Sequence, residues 1–224
     1  MKPSIVILSL LLLFSGSSFA QDYGIYDPIK ILVVTETSSG KKHNLDLKYL
    51  DQIIYDLSLH AKNYPPKFTS ESDKQRATRD VKTLSGMLNA LVDTPQASPE
   101  LLKRTSLLNS IGHNLDVSGA AQKADRDFQN LLKQQPDNPT ANFAYGAFLG
   151  GSNQSDKALP YLERSAKAGY SDAYYALGMA HLMQNNTELA LENFESYKSH
   201  RPDDQSVEQI IIAIKSGNIQ LHAK

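Results

Sequence analysis

Residues 174–202 read YYALGMAHLMQNNTELALENFESYKSHRP, and small and bulky residues recur in this stretch at helical spacing. Gly178 and Ala190 are small, and Phe194 follows Ala190 by one helical turn. Small residues let two helices approach closely, and a bulky residue fills the space between them. Pro202 ends the second helix, because proline has no amide hydrogen and disfavours helix in the residue before it. The stretch therefore predicts a pair of packed helices.

The same pattern recurs twice earlier in the chain. A step of 32 residues from Gly178 reaches Gly146, and a further step of 34 residues reaches Gly112. The same two steps carry the other positions to Ala158 and Ala124, to Leu162 and Phe128, and to Tyr170 and Pro136. Self-similarity at such a period is typical of helical repeat arrays. The register holds from residue 105 to residue 204.

The last repeat resembles the tetratricopeptide repeat family, in which an aromatic residue, Leu-Gly, a second aromatic residue, Ala, Phe and Pro stand at fixed intervals. Its matching residues are Tyr174, Leu177, Gly178, His181, Ala190, Phe194 and Pro202. The family's tryptophan is absent, and residues 166–178 also resemble the Sel1-like variant. The resemblance implies an all-α fold, a right-handed α-solenoid of helix–turn–helix repeats within 99–204, at about 105–138, 139–170 and 171–204.

Helices are also predicted on both sides of the array. Apolar residues at helical spacing indicate one helix from about Leu45 to Asn63 and another that begins at Ser70. These two helices would form an N-terminal pair over 45–98. A helix from Ser206 to Ser216 would cap the array within 205–224.

One segment does not fit the helical scheme. The β-branched run Ile29–Thr35 predicts a strand within an extended segment over 21–44. A lone strand needs a partner. We expect it to pack along the array, to form a hairpin with residues just after Gly40, or to add to a sheet edge in another protein.

The first twenty residues have the pattern of a secretory signal peptide. Lys2 supplies the positive charge, the run from Ile5 to Phe14 is apolar, and Ser18 and Ala20 are the small residues of a cleavage site. We predict cleavage after Ala20 and a periplasmic location, with secretion as the alternative. An uncleaved anchor is a further interpretation, but the run is shorter than the roughly 20 apolar residues that span a bilayer. No membrane span is expected after cleavage.

Composition argues against several classes of function. The chain has no cysteine, which excludes disulfides and thiolate sites. Its 23 basic and 24 acidic residues are dispersed, so we expect no nucleic acid as a partner. The sequence gives no indication of the oligomeric state.

No catalytic, metal-binding or cofactor-binding site is predicted. Ser38 and Lys41 match S-x-x-K, but the companion motifs S-D-N and K-T-G are absent. The six histidines are not arranged as metal ligands. Hydrolysis at Ser38 or around His113 remains only a remote alternative.

The tetratricopeptide resemblance implies a groove lined by the first helix of each repeat. The groove residues that it implies are Asn109, His113, Phe143, Ala147, Tyr175, Met179, Leu182 and Met183. These residues are largely aromatic and apolar, which suits the binding of a protein or peptide partner. The chain itself is an alternative occupant, either through the segment around Ile29 to Val34 or through a neighbouring helix. We expect an adaptor or accessory subunit of an envelope complex, with a promiscuous holdase for exported chains as the alternative.

Overall fold

The computed structural model describes residues 21–94 and 96–217, so the predicted signal peptide and cleavage site lie outside it or at its edge. Within these two ranges the chain forms, in order, a 3-10 helix (Pro28–Ile31), two strands, β1 (Leu32–Thr37) and β2 (Gly40–Leu45), and nine α-helices. The helices are α1 (Leu47–Ala61), α2 (Glu71–Val92), α3 (Pro99–Asn114), α4 (Ala120–Gln134), α5 (Pro139–Gly151), α6 (Ser155–Lys167), α7 (Asp172–Met183), α8 (Thr187–His200) and α9 (Gln205–Lys215). Of the helices in this part of the chain, none has the length and apolar character needed to cross a membrane.

Neighbouring helices pack in order along the chain. The most extensive packing joins α3 with α4, α5 with α6, and α7 with α8. Each of these pairs then packs on the next, and α9 packs on α8. The fold is therefore an all-α repeat solenoid with one small two-stranded sheet, which confirms the predicted fold class.

Two glycines show why the repeat requires a small residue. A Cβ atom added to Gly146 would lie 2.6 Å from the side chain of Leu162 on α6. A Cβ atom added to Gly178 would lie 2.8 Å from the ring of Phe194 on α8. The bulky residue of each second helix thus packs directly against the bare backbone of its own first helix, as the spacing predicts.

Side-chain caps set the start of several helices. The Ser70 side chain accepts a hydrogen bond from the amide of Asp73 at 3.1 Å where α2 begins. The Asn138 side chain accepts one from the amide of Ala141 at 3.0 Å, and Pro139 is the first residue of α5. Such caps satisfy amides that have no partner within the helix.

Residues 21–31 precede α1 in the chain and contact both α1 and α2. Tyr23 is 1% exposed, and its hydroxyl donates a hydrogen bond to Asp80 on α2 at 2.8 Å. The next amide, that of Gly24, donates to Asp56 on α1 at 2.9 Å. The 3-10 helix Pro28–Ile31 also contacts both α1 and α2. This segment therefore packs on α1 and α2 and bridges them. Ile29 lies in this segment and not in a groove of the repeats.

The predicted strand is part of a β-hairpin, one of the three arrangements expected for it. β1 pairs antiparallel with β2, from Leu32 opposite Leu45 to Thr37 opposite Gly40. The strand begins at Leu32 and not at Ile29, because Pro28 and the Asp27 side chain, which accepts from the Ile29 amide at 3.3 Å, start the 3-10 helix. Every residue of β1 is exposed.

Within the described ranges, nearly all buried apolar residues fall into two clusters that meet at α7. The larger cluster runs from Tyr23 to Ala180. The smaller cluster joins the end of α7 to α8 and α9, and contains Leu182, Ala190, Phe194, Val207, Ile211 and Ile214. Helix α9 thus covers the end of the array with one face, while Ile212 on its other face is 57% exposed.

Candidate partner-binding site

The residues that the resemblance assigns to one groove do not lie together. Asn109 is 3% exposed and belongs to a buried polar network. Its side-chain oxygen accepts a hydrogen bond from Ser85 Oγ on α2 at 2.7 Å, and its Nδ2 lies 3.4 Å from Asp127 on α4. Because α2 packs on α3 at this point, Asn109 does not line a surface open to a partner.

The buried network extends the contact between the N-terminal helices and the first repeat. Asp127 has no exposed surface, and Arg126 contacts its carboxylate at 2.8 Å. Arg126 also donates to Asn89 on α2 at 3.1 Å. Buried polar groups are costly without partners, so these contacts fix how α2 sits on α3 and α4.

The predicted residues near the end of α7 have different surroundings. Leu182 is 6% exposed and packs in the C-terminal apolar cluster, so it is a core residue. Met179 is half-buried against the same cluster, whereas Met183 is 42% exposed. Ala147 on α5 is also exposed. Helix α9 explains the burial of Leu182, because it completes this cluster with residues that follow the last repeat.

Phe143 and Tyr175 are brought together. Both line a cavity of about 330 Å³, which we call the α5–α7 cavity. Its lining residues are Phe143, Asp172, Tyr175, Ala176, Tyr197 and Arg201. The ring of Phe143 packs on Tyr170 with centroids 4.8 Å apart, and Tyr175 packs on Tyr197 at 5.4 Å. The aromatic walls of the cavity are therefore held in place by neighbouring rings.

The α5–α7 cavity has charges of both signs at its rim. Arg201 pairs with Asp172 at 3.2 Å, and both side chains are partly exposed. The Tyr197 hydroxyl donates to Asp204 at 2.9 Å. Burial and this hydrogen bond raise the pKa of Tyr197 to about 12, and burial also raises the pKa of Tyr175. Both phenols are neutral near pH 7, so the walls can take an apolar side chain beside a polar rim.

His113 lies at a second cavity, of about 820 Å³, which we call the α4–α6 cavity. Tyr145 and Phe148 of α5 line it, and Tyr161 of α6 packs on Tyr145 with centroids 4.5 Å apart. The Tyr145 hydroxyl donates to Asp125 on α4 at 2.6 Å. The lining residues include Asp125, Gln129, Gln154, Lys157, Tyr161 and Arg164. The volume lies within the range of about 300–1,000 Å³ that is typical of ligand pockets.

Sequence reasoning missed the α4–α6 cavity. The resemblance points to the first helix of each repeat, whereas this cavity takes most of its walls from the second helices, α4 and α6. A signal was present in Tyr145 and Phe148, which are three residues apart, and in Tyr161 of the next helix, but aromatic residues at helical spacing are also typical of a core. Ser38, the residue of the remote hydrolase hypothesis, lies in the exposed hairpin turn.

Comparison with known proteins supports the repeat assignment. Residues 149–206, from the end of α5 to the start of α9, match the family model described as tetratricopeptide repeat. No curated protein matches the chain. The Sel1-like resemblance of residues 166–178 stays a prediction. This match supports a tetratricopeptide repeat family for the part of the chain that it covers.

Proposed function

We propose that the chain is an exported adaptor or accessory subunit of a periplasmic envelope complex, and that it binds a protein partner at the α5–α7 cavity. Tetratricopeptide repeats indicate protein–protein interaction, and they are typically non-catalytic scaffolds. The proposal adds the location, the role and the surface to this general activity. The signal-peptide pattern of residues 1–20 supports export.

The observation that carries the choice of surface is the meeting of Phe143 and Tyr175. These residues come from successive repeats and line one cavity, which joins the two repeats at the surface. Binding hot spots are commonly aromatic side chains in well-packed pockets, and Phe143 and Tyr175 are both packed against other rings. A partner would insert one apolar side chain here.

The charged rim favours a defined partner over a promiscuous holdase. A holdase needs a broad apolar surface that tolerates many sequences. The α5–α7 cavity is small, and the pair Arg201–Asp172 lies at its edge. Charges at a rim select against partners whose own charges do not match. The partner segment should therefore carry an apolar side chain flanked by at least one charged residue.

A capture experiment with matched variants tests this proposal. The mature protein is used as bait in an envelope extract, beside the variants Phe143→Ala and Arg201→Glu. Tyr55→Ala on α1 is the control, since Tyr55 is 67% exposed and lies far from α5 and α7 in sequence. Circular dichroism first establishes that all variants are folded, and calorimetry with the purified captured protein then measures the affinity.

We expect one protein to be enriched in a fixed ratio with the wild type and with Tyr55→Ala. Phe143→Ala and Arg201→Glu should each weaken its binding, the first through lost packing and the second through charge reversal. If all four proteins capture the same broad mixture of proteins, the adaptor role is rejected. If denatured competitor chains then abolish this capture, the result supports the holdase instead.

A further inference from the structure

The α4–α6 cavity and the α5–α7 cavity lie on different sides of α5. Phe143 lines the α5–α7 cavity, whereas Tyr145 and Phe148 line the α4–α6 cavity. Successive residues of an α-helix stand about 100° apart around its axis, so Tyr145 and Phe148 lie about 160° and 140° away from Phe143. The two cavities are therefore separate sites, and the adaptor role proposed above uses only one of them.

One wall of the α4–α6 cavity is a stripe of side chains on α6. Lys157, Tyr161 and Arg164 follow one another at helical spacing, and all three line the cavity. At 1.5 Å per residue, their backbone positions span about 10 Å. The stripe therefore places an aromatic ring between two positive charges.

Neither of these positive charges is neutralised within the described part of the chain. Lys157 Nζ donates to the side-chain oxygen of Gln154 at 2.9 Å, and Arg164 Nη1 donates to that of Asn142 at 3.0 Å. Both acceptors are uncharged amides, and neither cation forms an ion pair there. Both side chains are exposed. They can therefore bind an anion without giving up an ion pair.

The opposite wall carries the acidic residue of the cavity lining, Asp125 on α4. Its Oδ1 accepts a hydrogen bond from the Tyr145 hydroxyl at 2.6 Å, and its Oδ2 accepts one from the Gln129 side chain at 2.9 Å. Donors on the cavity wall thus occupy both oxygens of this carboxylate. Two cations without a carboxylate partner then face one carboxylate that already has its donors, so the cavity favours an anionic ligand.

We propose that the α4–α6 cavity binds an extended acidic segment of a protein partner, in which two carboxylates stand on either side of an apolar residue. Side chains at positions i, i+2 and i+4 of an extended chain share one face, and about 13 Å separates the first from the last. The long lysine and arginine side chains bridge the small difference from the span of the stripe. The pattern Glu-x-Phe-x-Glu therefore sets its carboxylates against Lys157 and Arg164, and its ring against Tyr161.

A nucleic acid fits this cavity less well than an acidic protein segment does. Binding to a phosphate backbone depends on many basic residues that act together. The 23 basic and 24 acidic residues of this chain are dispersed, and Asp125 would face the phosphates. An acidic segment needs only two cations, and its apolar residue can pack on Tyr161, which is half-buried.

Isothermal titration calorimetry with a peptide of this pattern tests the proposal on the mature protein. Both peptide ends are blocked, so that the two glutamates carry its only charges. The wild type should bind it with a Kd of about 10–100 μM. Lys157→Glu and Arg164→Glu should each weaken binding at least about fivefold, because each replaces an attraction by a repulsion. Lys103→Glu on α3 is the control, since it makes the same charge change at an exposed residue outside the cavity.

The decisive measurement exchanges the charges on both partners. The double variant Lys157→Glu, Arg164→Glu should bind the peptide Lys-x-Phe-x-Lys more tightly than the glutamate peptide, whereas the wild type should show the reverse order. A variant that had lost its fold would bind neither peptide. A glutamate peptide with serine in place of phenylalanine should bind the wild type at least about tenfold more weakly, which reports the contact with the aromatic ring.

Three results would overturn the proposal. The first is no binding of the glutamate peptide by the wild type up to about 1 mM. The second is an affinity that Lys157→Glu and Arg164→Glu leave unchanged. The third is binding that Phe143→Ala weakens and Arg164→Glu does not, which would place the peptide in the α5–α7 cavity. The adaptor proposal is tested separately, because its variants Phe143→Ala and Arg201→Glu lie outside the α4–α6 cavity.

Discussion

Tyr23 donates a hydrogen bond of 2.8 Å to Asp80 and is almost wholly buried between the first two helices. Its carbonyl also accepts a hydrogen bond from Arg76 at 2.6 Å. A residue that stands before the first helix therefore acts as a core residue.

The anchor should contribute measurably to stability. We expect Tyr23→Phe to lower the free energy of unfolding by about 1–2 kcal/mol, because it leaves the half-buried Asp80 without the hydroxyl donor. Tyr23→Ala should cost about 3–5 kcal/mol through the additional cavity. Urea unfolding measures both changes. Tyr55→Phe is the control, and equal effects of Tyr23→Phe and Tyr55→Phe would show that the buried hydrogen bond is unimportant.

The close helix approach at Gly146 should not tolerate a methyl group. Gly146→Ala places a Cβ atom 2.6 Å from Leu162, and we expect a loss of about 1–3 kcal/mol. Gly86→Ala on α2 is the matched control, since its Cβ atom meets nothing within 4 Å. That control should stabilise the protein by about 0.5–1 kcal/mol, because glycine weakens a helix. If thermal unfolding shows the same shift for both variants, the packing explanation is wrong.

Asp204 should make stability depend on acid pH. Hydrogen bonds from Ser206, followed by that from Tyr197, hold the pKa of Asp204 below its usual value of about 4. The folded pKa is thus below the unfolded one, so the contribution is present above pH 4 and is lost as the pH falls through the folded pKa. Melting temperatures between pH 7 and pH 2 should fall less steeply for Asp204→Asn than for the wild type. Parallel curves for the two proteins would contradict this assignment.

Export should leave Tyr23 in the mature chain. If the chain is exported as we propose, N-terminal sequencing of the protein recovered from a periplasmic extract should begin at Gln21, after the predicted cleavage at Ala20. Ala20→Lys should block processing, because signal peptidase prefers a small residue at this position. A mature N-terminus beyond Tyr23 would mean that the mature protein lacks Tyr23. The contacts by which Tyr23 packs between α1 and α2 could then not stabilise it.

The sequence predicts the repeats well because their spacing reflects local packing. Gly146 and Gly178 stand one repeat apart and meet the bulky residue of the same helical pair, so one pattern describes both contacts. The role of Tyr23 was not predictable in this way. Its partners Asp80 and Arg76 are distant in sequence and belong to no repeat.

The predicted groove residues do not all reach one surface, for two different physical reasons. Asn109 has the right position in its repeat, but α2 covers it through Ser85. Leu182 is buried because α9 follows the last repeat and completes a second cluster. In both cases the covering helix lies outside the repeat pattern. Phe143 and Tyr175, which come from the first helices of the second and third repeats, do share a cavity.

The division of the buried core at α7 bears on how the molecule opens. Ala180 belongs to the larger cluster and Leu182 to the smaller one, so α8 and α9 make their apolar contacts mainly with each other and with α7. In a linear array each unit is stabilised chiefly by its nearest neighbour. The last two helices should therefore unravel as one cooperative unit, and their amides should exchange with solvent deuterium faster than those of α3 to α6. Partial opening at this end would release α9 first and leave the N-terminal helices folded.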